Sequence, residues 1–103
     1  ILAEKVKVAL KTSANWADYV FADNYELKPL AEVENFIHAH KHLPGIPSAN
    51  EVVATGIDLA TMDAKLLEKI EELTLHLIRM EKEIDQLKKE NQQLQSHSST
   101  IIK

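Results

Sequence analysis

A repeat of apolar residues spaced alternately three and four positions apart runs from Leu66 to Leu94, and no other feature limits the fold of this chain so tightly. With Leu66 placed at d, the d positions are Leu66, Leu73, Met80, Leu87 and Leu94, and the a positions are Ile70, Leu77, Ile84 and Asn91. The heptads pass without a break, and only Asn91 is polar. A 3.5-residue repeat held this long winds helices into a left-handed supercoil with copies of themselves. The flanking charges agree with parallel chains: Glu83 and Glu90 fall at g, Lys88 and Gln95 at e, so Glu83 meets Lys88 of a neighbour. Ile at a with Leu at d, together with one Asn at a, leans toward two strands, although the mixed seam is also compatible with three.

Such a seam needs a long helix. Asp58 is placed to cap one from about Leu59 to about Gln95, roughly 55 Å at 1.5 Å per residue. The residues before it are too few to cover that length from within one chain. Leu67, Leu75 and Ile78, with Thr74, lie off the seam, and all precede Arg79; from there to Leu94 every apolar residue is on the seam. The helix is therefore expected to be covered on two sides up to residue 78. Partner helices take the seam, and its own head, through Trp16, Phe36, Leu43 and Ile46, docks on Leu67, Leu75 and Ile78. Beyond that point a bare coiled coil is expected.

The head has a different character. All five aromatic residues (Trp16, Tyr19, Phe21, Tyr25, Phe36) lie within it. Residues 2–10 alternate, with Val6, Val8 and Leu10 on one side and Lys5 and Lys7 on the other, which predicts a half-buried strand. Residues 16–21 read as a second short strand or an aromatic anchor. Pro29 suits the first turn of a helix reaching about Lys41, with Leu30, Val33, Phe36 and Ile37 as its stripe. Pro44-Gly45 suits a type II turn, Ser48 to Glu51 a capping box, and Gly56 a left-handed helix end. The expected class is mainly α with a small β element: short strands and two short helices packed on a long coiled-coil helix. The divisions are 1–57 as an α+β head, 58–95 as the stalk and 96–103 as a flexible tail.

The net charge of −4 argues against a general grip on nucleic acid, and no apolar run approaches the roughly 20 residues that span a bilayer. No signal peptide is visible at Ile1, where the chain opens mid-strand without a Met, as a fragment or processed piece would. With no cysteine, disulfide and thiolate chemistry are excluded. On a helix, Glu34, His38 and His42 share one face, a possible zinc set, but His42 falls at the helix end; a half-buried His40 between exposed neighbours is the simpler expectation. No serine has a base suggested beside it, no glycine-rich phosphate loop exists, and Glu71-Glu72 reads as a solvated face. Trp16, Tyr19 and Phe21 could form a ligand surface, although core packing is expected. No catalysis, cofactor or metal is expected.

Four segments in order carry a resemblance: 15–21 (NWADYVF), 25–34 (YELKPLAEVE), 42–48 (HLPGIPS) and 62–73 (MDAKLLEKIEEL). Together they resemble the C-terminal region of bacterial surface and phage tail-fibre-like proteins, related in layout to the intramolecular chaperone of endosialidase-type tail spikes. The resemblance covers roughly residues 1–85. It implies a C-terminal trimerisation and folding module that brings chains into register for a β-rich shaft upstream, at a cell surface or on a virion. It moves the expected strand number from two to three. The autoproteolysis of some such modules is not carried over, since no cleaving Ser or Lys matches. Two other readings stand beside this one: a head that binds a ligand or protein, displayed on a coiled coil for avidity, and a metal-dependent enzyme using His38 and His42. A leucine-zipper transcription factor fits poorly, for no basic region precedes the seam.

Overall fold

The structure is a computed structural model that describes residues 1–102, with side chains as far as 97. After a stretch without regular secondary structure come two 3-10 turns, Ser13–Asn15 and Ala17–Phe21, then helices α1 (Leu30–His40), α2 (Ala49–Thr55) and α3 (Leu59–Ile102). No strand occurs among the described residues. The small β element is thus a correction: the fold is all-α. Alternation makes a strand only where a neighbour supplies the ladder. Residues 16–21 do not, because they close into a 3-10 turn with Ala22 N–H donating to the Tyr19 carbonyl at 3.1 Å. Residues 2–10 lie without regular secondary structure, with Val6, Val8 and Leu10 exposed.

Punctuation residues set the helix limits. Pro29 stands before α1 with φ −60°, its ring fixing the entry angle. The end of α1 comes from Lys41, which adopts the left-handed conformation (φ 62°, ψ 24°) and donates its N–H to Ile37 at 2.8 Å. A lysine there carries strain of about 1 kcal/mol. Gly45, at φ 78°, takes the position of a type II turn that needs a positive φ, closed by Ile46 N–H to the Leu43 carbonyl at 3.2 Å.

Both predicted caps form. Ser48 Oγ accepts from Glu51 N–H at 3.2 Å while Glu51 Oε1 accepts from Ser48 N–H at 3.3 Å, opening α2. Asp58 Oδ1 accepts from Thr61 N–H at 2.8 Å, opening α3. These backbone bonds favour the ionised carboxylates and hold both below the usual range. Gly56 has the expected positive φ (71°), but its ψ of −170° lies outside the left-handed helical region, a combination open to glycine alone.

Helix α3 continues to Ile102 instead of closing near Gln95. Of the tail expected at 96–103, Lys103 and the side chains from 98 onward lie outside the described residues. The chain divides into two compact units, Ile1–Glu72 and Leu73–Lys103, so the boundary falls inside α3. Within the first unit, Ala17 and Val20 are the buried apolar side chains, joined by Pro44.

Candidate self-association surface

On a helix packed by one chain alone, apolar residues turn inward and charges outward. At two places on α3 the order is reversed. Ile70, at a, is 58% exposed, whereas the adjacent Glu71 is 7% exposed; Leu77, also at a, is 63% exposed beside His76 at 7%. Of the other seam positions, Leu66, Leu73, Ile84, Leu87, Asn91 and Leu94 are exposed and Met80 is half-buried. From 81 to 97 every side chain is exposed.

Within Ile1–Glu72, the head meets the side of α3 away from the seam, mainly through polar groups. The Tyr19 hydroxyl donates to Glu68 Oε1 at 2.9 Å, and the Tyr25 hydroxyl donates to Glu72 Oε2 at 2.6 Å. Lys69 Nζ joins Glu72 at 3.0 Å and Glu68 at 3.7 Å. The two tyrosine rings lie 6.0 Å apart. Burial, then the hydrogen bond to Glu68, pushes Tyr19 up to about 12, and Tyr25 is raised further by burial and its bond to Glu72. Glu71 faces Asp18 of the second 3-10 turn. Burial first, and the nearby Asp18 carboxylate second, raise its carboxyl above the usual glutamate range. Glu71-Glu72, expected on a solvated face, is instead part of the contact with the head.

The residues expected to dock the head are unevenly covered. Phe36, Ile46, Leu67 and Leu75 are half-buried, while Trp16, Leu43 and Ile78 remain exposed. Tyr19 and Phe21 are exposed with Trp16, and the small residues between them, Ala17 and Val20, take the interior. The histidines also differ from expectation. His40 is exposed, though its ring stacks 4.4 Å from Phe36, and His42 is half-buried with its ring 5.3 Å from the same phenyl. Lys28 Nζ lies 5.8 Å from the Phe36 centroid, so this ring carries polar neighbours on several sides. Among the described residues no three His, Asp or Glu side chains are grouped to hold a metal ion, which leaves the Glu34, His38 and His42 set without a geometric basis. No described helix is long and apolar enough to cross a membrane.

The polar tether of Tyr19, Tyr25, Glu68, Glu71 and Glu72 was not foreseen. A signal for it exists: off-seam Leu67 and Leu75 bracket Glu68, Glu71 and Glu72 on the helix, and a face that carries extra leucines is a face that something covers. No known family, curated protein or solved structure matches the chain.

Proposed function

We propose that this chain is an oligomerisation and registration module in which identical copies zip along α3 in a parallel coiled coil. One observation carries the proposal, the inversion at Ile70 and Glu71: an exposed isoleucine in an unbroken a/d repeat beside a buried carboxylate. An apolar stripe of this length in water is strongly unfavourable, and copies of the same stripe are the surface whose knobs and holes match it. Once formed from contacts close in sequence, the supercoil holds whatever is joined to each chain at high local concentration and in one register. Three copies is the strand number favoured by the resemblance to the C-terminal modules of tail-fibre-like proteins. With it come the proposed parent, a fibrous surface or tail-fibre-like protein with a β-rich shaft upstream, and a place outside the cell or on a virion. No catalytic step, cofactor, metal or nucleic acid enters this reading.

Sedimentation equilibrium of the whole chain is the test. Three times the chain mass of 11.6 kDa is the expected result. Twice that mass would keep the seam and remove the argument for three strands, and a monomer at every concentration would overturn the proposal. Direction can be read separately. Because the chain has no cysteine, a single Leu94→Cys variant, at d, should form a disulfide between copies under mild oxidation if the helices run parallel.

A second reading has one observation in its favour. Trp16, Tyr19 and Phe21 stand exposed together on one 3-10 turn and its preceding residue, as a head that captures another molecule would present them. Deleting residues 59–95 separates the two. A shaft that still assembles without them would take the organising role away from α3.

A further inference from the structure

Within Ile1–Glu72, between the head and α3, lies a groove of about 480 Å³, enough for a small organic molecule. Its origin is local. Ala60 and Ala64 stand one turn apart on α3 and present only methyl groups, so a gap is left above them. Across the gap stand Leu10 and the Ser13–Asn15 turn. Asn15 N–H donating to the Thr12 carbonyl at 3.3 Å and Trp16 N–H donating to the Ser13 carbonyl at 3.1 Å hold that turn closed.

The chemistry of the walls is one-sided. Lys11 and Lys65 border the groove, Asn15 and Thr61 add neutral hydrogen-bonding groups, and no Asp or Glu lines it. The chain as a whole has the opposite balance, with 16 acidic residues against 12 basic ones. Among the described residues neither of these lysines makes an ion pair, and Lys65 is half-buried. Carboxylates close to this face are committed elsewhere. Glu68 accepts from the Tyr19 hydroxyl and pairs with Lys69, and Glu51, whose carboxyl Lys65 helps to lower, closes the cap of α2. A partly desolvated ammonium with no counter-charge in contact is unfavourable, and an anion entering the groove relieves it.

We propose that this groove binds a small organic anion, its charged group paired by Lys11 and Lys65 and its apolar body laid on Ala60 and Ala64. The occupant is a small molecule because the space is of that size, and an anion because the walls carry positive charge alone. Thr61 and Lys65, at f and c, lie on the side of α3 away from the a/d stripe. The inference therefore stands apart from self-association, and single chains and oligomers should bind alike.

Benzoate is the probe, because it joins a carboxylate to a flat apolar ring; benzamide, the same ring without the charge, is the control. Titrated into the whole chain, benzoate should shift the amide NMR signals of residues 9–15 and 60–65 and leave those of 81–97 in place. Affinity in the millimolar range is expected of so small an anion. Benzamide should bind about fivefold more weakly, and Lys65→Gln should lower the affinity for benzoate by a similar factor. Ala64→Leu fills the groove and should remove the shifts, while helical circular dichroism and the emission of Trp16, the only tryptophan, stay those of the parent. Should Ala64→Leu lose its helix, Lys65→Gln and benzamide still decide. An absence of shifts at 9–15 and 60–65 would overturn the inference. So would shifts of parental size in a folded Ala64→Leu chain, or equal binding of benzoate by parent and Lys65→Gln together with equal binding of benzamide.

Discussion

In residues 1–72, α3 turns Glu71 inward against the head while Ile70 beside it meets solvent; from 81 to 97 the same helix has no covered side at all. The two stretches share one a/d stripe but differ on every other face. Off the seam, the first carries Leu67 and a band of carboxylates answered by Tyr19 and Tyr25, and the second carries charges and glutamines with Ser96 and His97 at its end. From Leu66 to Leu94 the stripe is apolar except at Asn91, while coverage of the opposite face is local. On the proposed reading, the exposed Leu and Ile residues of the stripe are the apolar surface that association would remove from water.

The comparison breaks most completely at the stripe. Ile70→Asp combined with Leu77→Asp puts a charge at two successive a positions, one in each compact unit. Burying them unpaired should weaken association by about 4 kcal/mol or more, roughly three orders of magnitude. Light scattering should then report single chains. An oligomer of unchanged mass and affinity would show that the stripe is not the interface. The next effect belongs to the head. Val20, at 2% exposure, has the most deeply buried large side chain of the first unit, and Val20→Ala removes two carbons from it. The expected loss is about 2 kcal/mol in urea unfolding followed by Trp16 emission. A change within error would place the interior of the head elsewhere.

Smaller still is the tether. Tyr25→Phe removes the hydroxyl that donates to Glu72 and leaves that carboxylate its bond from Lys69. Oε2 loses its donor while Lys69 still pairs the charge through Oε1, so the loss should be about 1–2 kcal/mol, with oligomer mass unaltered. The same hydroxyl adds a sign in alkali. Tyr19 and Tyr25 both keep their protons better in the folded chain. The stability they contribute is complete below the ordinary tyrosine value of 10.0 and is lost as pH rises through about 12 for Tyr19. Tyr25→Phe should flatten part of that alkaline decline.

Local rules read from residue types survived best. Ser48, Glu51 and Asp58 cap as their side-chain reach dictates, and Pro29 and Pro44-Gly45 sit where ring and positive φ require. Those devices need only a few neighbouring residues, so the sequence holds all of the information. The strand expected at 2–10 needed a partner that alternation cannot specify, and no described segment supplies one. The end of α1 near Lys41 was legible, but the left-handed conformation that Lys41 adopts there was not, since a lysine gives no sign of it. In the head, size won over hydrophobicity. Ala17 and Val20 fit the interior of a tight 3-10 turn, and Trp16, Tyr19 and Phe21 do not. The acidic tether was half legible, since the leucines around it marked the face as covered, but charge type alone suggested water.

The finest separation between the covered and open faces of α3 comes from a proton. Glu71 is buried, its Oε2 has no hydrogen-bond partner, and it faces Asp18. Burial and then Asp18 make the folded chain hold the Glu71 proton above the ordinary value of 4.5. With the folded value raised, the stability Glu71 contributes is complete below 4.5 and is lost as pH rises through the raised value. The caps Glu51 and Asp58 have the opposite sign. Their lowered values give stability that is present above the ordinary carboxylate range and lost as pH falls. Urea midpoints across the weakly acidic range therefore isolate Glu71. The parent should lose stability as pH rises there, Glu71→Gln should not, and the variant should be the more stable of the two at neutral pH. Asp18→Asn should reduce the slope without abolishing it, because burial, the larger cause, remains. Identical slopes in parent and Glu71→Gln would mean that this carboxyl does not titrate in contact with the head, and that the covered face of α3 is open to water after all.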